Sequence, residues 1–356
     1  MAARPGGEAY PMTQVDVISR RGWEVVRIAN SALAAEVLPG KGGDVLSLCH
    51  VPLGVELLWQ SPWGLRARGA ATTSEDEEAR LIEAYPGGWQ SVFPNGGDAV
   101  TVYGVRWGMH GEVWLTPFDW TPLESGLEMR ARLVRSPFEV VKRVTLEDEA
   151  LTVSESVTNA GGEPIEVMWG QHPAFGAPLI GPDTIIEAHA PSFVVDDVLD
   201  TPGRDLALGV HASWPHVPGR IAGEMVDVSR VPPLDAGVDR MGYLTRFTRG
   251  HAAIRNPVFR LRVDLDWDAA VMPHAWYWLE AGGSGGFPWY RSAYVLAIEP
   301  ASSYPAQGIA AVRAKTSTQL AIAPGENRTA AVTLTVTGDN PEPQPERRHE
   351  NRGRPT

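Results

Sequence analysis

A chain of 356 residues with 43% hydrophobic content can bury a substantial core, which excludes wholesale disorder. Its net charge of -12 comes from 43 acidic against 31 basic residues with no Lys/Arg cluster, which excludes nucleic acid and anionic membranes as partners. The single cysteine, Cys49, excludes an internal disulfide and a thiolate metal cluster, and is read as a small buried core thiol.

The first stretch, MAARPGGEAYPMTQ, has no apolar secretory core, and no later stretch is apolar enough to span a membrane, so a cytoplasmic protein is expected. Residues 15–19, 24–28 and 33–38 alternate in polarity between turn residues, as antiparallel strands do. Residues 72–80, TTSEDEEAR, read as a solvated loop or a single helical turn. Strands follow at 127–133, 139–145, 151–158, 165–169, 259–264, 294–298 and 330–336, and no amphipathic helix of three turns is visible. With 37 Gly and 30 Pro as punctuation, the pattern predicts an all-β sandwich or barrel of mostly antiparallel strands. It is expected to form one domain over residues 15–337, with residues 1–14 and 338–356 disordered or extended.

Three segments carry residues suited to chemistry. PGGWQSVFPNGGDAVTVYGVRWGMHGEVW (86–114) is not a phosphate loop, because no GK[ST] follows it. It reads as loops at a sheet rim carrying Trp89, Gln90, Asn95, His110 and Glu112, with Gly108 and Gly111 letting backbone approach a ligand beside His110. In WGQHPAF (169–175), Pro173 keeps His172 extended at a strand end, among aromatic rings suited to the C–H face of a pyranose. In YVLAIEPAS (294–302), an apolar strand ends in Glu299, and Pro300 is expected to stop the ladder, leaving a carboxylate at the edge of a buried surface. Trp59, Trp276, Trp278 and Trp289 are further cleft aromatics, with core packing as the other reading. Together these groups fit the opening of a cyclic hemiacetal, which needs one base for the anomeric hydroxyl and one acid for the ring oxygen. That reaction needs neither metal nor cofactor.

On these residues the chain resembles the aldose 1-epimerase (galactose mutarotase) family, in a divergent bacterial branch, over residues 15–336. SALAAEVLPGKGGDVLSL, ELLWQSPWG, FPNGGD, HGEVW, WGQHPAF and VLAIEPAS stand in the family's order. The resemblance implies a β-supersandwich, binding of a small-molecule sugar across one concave sheet, Glu299 as general base, His172 as general acid and His110 at the ring oxygen. GVDRMGYL is similar to the family's substrate-binding segment and implies Asp239, with Asp235 as the fallback. Gln90, Trp89, Asn95 and Trp278 complete the expected substrate contacts. The family's arginine after the asparagine of the FP turn is missing, since Gly96 follows Asn95, and Arg106 is the candidate replacement.

Three other readings compete. A metal-dependent cupin-like site would use His110, Glu112, His172 and Glu299. A glycoside hydrolase would pair Glu299 with Glu112 or Asp239. A sugar-binding module would keep the cleft without turnover. Neutral hexoses, pentoses, deoxy sugars and acidic sugars are all candidates, and oligomeric state is open.

Overall fold

The alternation that marks the strands in the sequence is realised most plainly in the hairpin Phe138–Glu147 and Ala150–Asn159. Every second side chain there enters the core, and the two strands pair in register along their full lengths. The earlier hairpin, Gln14–Arg20 with Trp23–Ala29, is closed by Arg21 and Gly22, both at positive φ as a two-residue type I′ turn requires. The computed structural model describes residues 12–73 and 76–338. Gln14 opens the first strand and Gly338 closes the last, while the extensions expected at residues 1–11 and 339–356 lie outside the described residues.

Two antiparallel sheets dominate. The large sheet runs in the order Gln14–Arg20, Trp23–Ala29, Leu33–Leu38, Asp44–His50, Trp89–Val92, Gly170–Gly176, Tyr294–Ala301, His274–Ala281, Val238–Thr245, Ser192–Val195 and His211–Ser213. The second runs Ile185–Ala188, Gly250–Asn256, Leu261–Trp267, Asn327–Gly338, Ala150–Asn159, Phe138–Glu147, Gly126–Arg132 and Asp119–Leu123. The main core lies between them, with Met129, Phe138 and Val144 of the second sheet sharing one apolar cluster with Ile28, Phe175 and Ile298 of the first. Within it Lys142, fully buried, lies 3.6 Å from Glu155 and donates to Ser91 at 2.7 Å, so a paired charge ties the two sheets together.

A smaller apolar cluster, including Trp59, Leu81, Tyr85, Trp114, Ala174, Trp289, Val295 and Ala297, covers the other face of the large sheet. The middle of that sheet is therefore buried on both sides. Among the described residues the α-helices are Glu77–Glu83 and Gly308–Lys315, each about two turns, and no helix is long and apolar enough to cross a membrane. Cys49 is half-buried rather than a core thiol.

Four expectations are corrected. The segment at 72–80 leads into the Glu77–Glu83 helix, capped by Asp76 accepting from the Ala79 N–H. The strand expected at 259–264 is Leu261–Trp267, because Arg260 adopts a left-handed conformation that closes the preceding turn. The strand expected at 165–169 stops at Val167, and His172 belongs to a separate strand, Gly170–Gly176, in the middle of the large sheet. Pro300 does not end its strand either, since the ladder with His274–Ala281 continues through Ala301. Both prolines are tolerated because the Gly170–Gly176 and Tyr294–Ala301 strands pair only at Gly170 with Ala301 and again from Ala174 with Ala297. Residues 171–173 and 298–300 face each other across an open window in the ladder, where Pro173 and Pro300 owe no hydrogen bond.

Candidate active site

That window contains the residues with the most unusual surroundings. Side chains alternate along a strand, so Glu299 shares a face with Val295 and Ala297, which belong to the smaller apolar cluster opposite the main core. His172 shares that face with Ala174 on the neighbouring strand. The two meet with His172 Nε2 3.7 Å from Glu299 Oε1, a contact slightly too long for a hydrogen bond, and both are about 95% or more buried. Glu299 Oε2 and His172 Nδ1 have no hydrogen-bond partner among the described residues.

Electrostatics follows from this isolation. With no donor to hold a negative charge, burial lifts the Glu299 carboxyl from its ordinary 4.5 to about 8. Burial lowers His172 from 6.5 to about 4, partly offset by a backbone hydrogen bond. His110 falls to about 3 through burial and the neighbouring His172. At neutral pH both imidazoles are uncharged and the proton of the pair resides on Glu299.

His110 comes from the loop after the FP turn, at φ 55, with its ring stacked on Trp114 at 4.9 Å and 5.7 Å from that of His172. Its Nδ1 accepts from the Gly97 N–H at 3.2 Å, so the neutral ring carries its proton on Nε2, available as a donor. Gly111 beside it serves the protein rather than a ligand: a Cβ there would lie 2.3 Å from the Phe93 carbonyl oxygen.

Glu299, His172, His110 and Trp278 line one cavity of about 570 Å³, together with Tyr85, Trp114, Met241, Trp276, Trp289 and Gln307. Its volume is ordinary for a small-molecule site. Ile82 and Glu78 of the short helix and Val198 to Thr201 from the loop after Ser192–Val195 form its outer wall, with Phe287 and Pro288. Its lining carries Glu78, Asp98, Asp196, Asp200 and Glu299 and, among the described residues, no Lys or Arg.

The other expected contacts are not in this lining. Trp89 faces the main core and donates to Gln171 at 2.8 Å. Gln90, directly beside His172 in the sheet, is fully buried with its amide donating to the Gly87 carbonyl. Asn95 is a brace: Nδ2 donates to the Asp98 and Gly108 carbonyls at 2.8 and 3.1 Å, and Oδ1 accepts from Ile309 N–H at 2.9 Å. Asn95→Ala is therefore expected to lower unfolding free energy by about 3 kcal/mol, measured by urea denaturation, through buried backbone groups left unpaired. Arg106 is exposed and paired with Glu77 at 3.3 Å, so it brings no charge to the cavity. A side chain following Asn95 has no room, since a Cβ on Gly96 would lie 2.6 Å from the indole of Trp276. Trp276 occupies that space, held by its N–H to the Ser303 carbonyl at 2.8 Å.

Asp239 is buried just behind the wall, bonded by Thr201 Oγ1 and by Ser284 Oγ at 3.0 Å, and it lines only a minute void with Leu199, Arg204 and Met241. Asp235 is exposed on a short 3-10 turn. Glu112 turns away from the histidines to accept from the Arg135 N–H at 2.8 Å and Ser136 Oγ at 3.1 Å. The four-ligand metal set and the Glu299–Glu112 carboxylate pair are thus not assembled, and no group of three or more candidate ligands is found among the described residues. Tyr85, Trp114 and Gln307 were not singled out from sequence; only Trp114 lies within a quoted motif, HGEVW.

The family model that matches is described as a domain of unknown function, DUF4432, and it covers residues 20–205, more than half of the chain. The chain belongs to the DUF4432 family. No curated protein sequence matches this DUF4432 protein. Among solved structures it is similar to a candidate aldose 1-epimerase from Klebsiella pneumoniae, at 15% identity and a TM-score of 0.64, covering 89% of this chain and 80% of that one. A galactose mutarotase-like protein from Clostridium acetobutylicum matches at 14% identity and 0.62, over 92% and 99% of the two chains. The Slr1438 protein from Synechocystis matches at 16% identity and 0.62, over 95% and 100%. The fold of this DUF4432 chain is the galactose mutarotase-like β-sandwich that the resemblance implied.

Proposed function

We propose that this chain is an aldose 1-epimerase that interconverts the α and β anomers of an uncharged free sugar. The observation that carries the reading is the buried Glu299–His172 pair, 3.7 Å apart at the floor of a sugar-sized cavity. Ring opening takes the proton of the anomeric hydroxyl onto one group while another gives a proton to the ring oxygen. Glu299 acts as the base and His172 as the acid, in the state where the pair's one proton has crossed to the imidazole. After rotation about C1–C2 the ring closes on the opposite face, and each group reverses its transfer. His110 Nε2–H supports the ring oxygen as a neutral donor, and Trp278 offers a face to the sugar's C–H groups.

The charge of the cavity selects among the candidate sugars. The carboxyl groups of Glu78, Asp98, Asp196 and Asp200, with no Lys or Arg among the described lining residues, disfavour a uronate or a sugar phosphate. The test is anomer exchange by NMR across a panel of neutral and acidic sugars. Acceleration of a neutral sugar is expected, with kcat/KM for its uronic acid or phosphate lower by at least about tenfold. Sugar binding without acceleration would replace the enzyme by a binding module, and preference for an acidic sugar would overturn the substrate class.

A further inference from the structure

Among the described residues, four buried polar atoms without a hydrogen-bond partner belong to residues that line the cavity: Tyr85 Oη, Trp114 Nε1, His172 Nδ1 and Glu299 Oε2. Proton transfer accounts for Glu299 and His172. It does not account for the other two. Tyr85 is 2% exposed and Trp114 1%. Their rings meet edge to face at 5.2 Å, and Tyr85 also packs on His172 at 5.9 Å and Trp59 at 5.7 Å. Both rings are thereby held beside His172, that of Trp114 at 6.0 Å, and Phe would fill the Tyr85 site without stranding a hydroxyl.

We propose that Tyr85 Oη and Trp114 Nε1 form a hydroxyl-binding subsite that donates to oxygens of an uncharged sugar next to its reacting centre. This rests on the aldose 1-epimerase reading. An indole N–H can only donate. The Tyr85 hydroxyl also stays protonated, because burial and the nearby Glu299 and Asp44 raise it well above its ordinary value. The subsite therefore recognises acceptor oxygens and offers nothing to an ammonium group. A sugar hydroxyl suits it because its oxygen can accept here while its own proton is shared elsewhere.

The test is Tyr85→Phe, read by calorimetric sugar binding, NMR anomer exchange and thermal unfolding on the best neutral sugar and its monodeoxy analogues. KM is expected to rise about tenfold with kcat and the pH profile unchanged, and with the unfolding temperature at or above that of the wild type. One deoxy analogue, already poor on the wild type, should lose nothing further on the variant, because the hydroxyl that Tyr85 serves is gone. Trp114→Phe should show the same pattern with an analogue lacking a hydroxyl its indole serves. Unchanged KM in Tyr85→Phe, or an equal loss across every analogue, overturns the subsite while leaving the epimerase reading standing. A wild type that neither binds nor exchanges any sugar overturns both.

Discussion

Glu299→Gln is expected to slow anomer exchange by about a thousandfold while leaving sugar affinity within a few-fold of the wild type. The amide matches the carboxyl in shape, so the window between the Gly170–Gly176 and Tyr294–Ala301 strands and the packing on Val295 and Ala297 are preserved. What disappears is the cavity-lining carboxyl that faces His172 Nε2 at 3.7 Å and that the proposed mechanism uses to take the anomeric proton. The residual acceleration would come from His110 and from orientation in the cavity. NMR exchange at saturating sugar separates this from a binding defect, since a catalytic loss lowers kcat and spares KM. Full activity in this variant would sink the acid/base assignment.

How far such a site can be read from sequence depends on whether each residue's signal is local. The hairpins were legible because one face of each strand meets water: Phe138–Glu147 alternates cleanly, and Gly22 suits the positive φ that its turn requires. His172 and Glu299 were legible as motifs, but their neighbourhood was not. The strands that carry them, with Trp89–Val92, are buried on both faces, so no polarity alternation tells which side chain enters the cavity. Trp89 and Gln90 were grouped together although they point to opposite faces. Likewise, Asn95 has the composition of a ligand contact and the geometry of a loop brace; its third bond is to Ile309, far along the chain. Tyr85 sits in a loop with no periodicity, and its importance comes from lacking a partner, which only three-dimensional packing reveals. The missing arginine has a physical reason in Trp276, which leaves no room for a side chain at position 96.

The pH dependence of the pair gives the second large effect. Catalysis needs one proton shared by Glu299 and His172, whichever of them holds it at rest, because one must accept as the other donates. With Glu299 lifted to about 8 and His172 lowered to about 4, that state persists between those values. Of the groups beside the pair, His110 is neutral above about 3 and the Tyr85 hydroxyl is protonated throughout, while burial raises Asp44, which pairs with Lys41, and the cavity carboxyls Glu78 and Asp98. The kcat/KM profile is therefore expected to be flat from about pH 4 to about pH 8 and to fall tenfold per unit on either side, below for want of a base and above for want of an acid. Stability obeys the same protons with a definite sign. Below pH 4.5 the Glu299 carboxyl is protonated in both folded and unfolded chains; from there to about 8 only the folded chain keeps the proton. Folding stability falls across that interval by on the order of 5 kcal/mol from this group, whereas Glu299→Gln has no such loss. The variant should thus match or exceed the wild type in urea unfolding at pH 5 and exceed it by a widening margin toward pH 8. A margin that shrinks with rising pH would show that the folded chain holds Glu299 ionised, and the one-proton mechanism would fail with it.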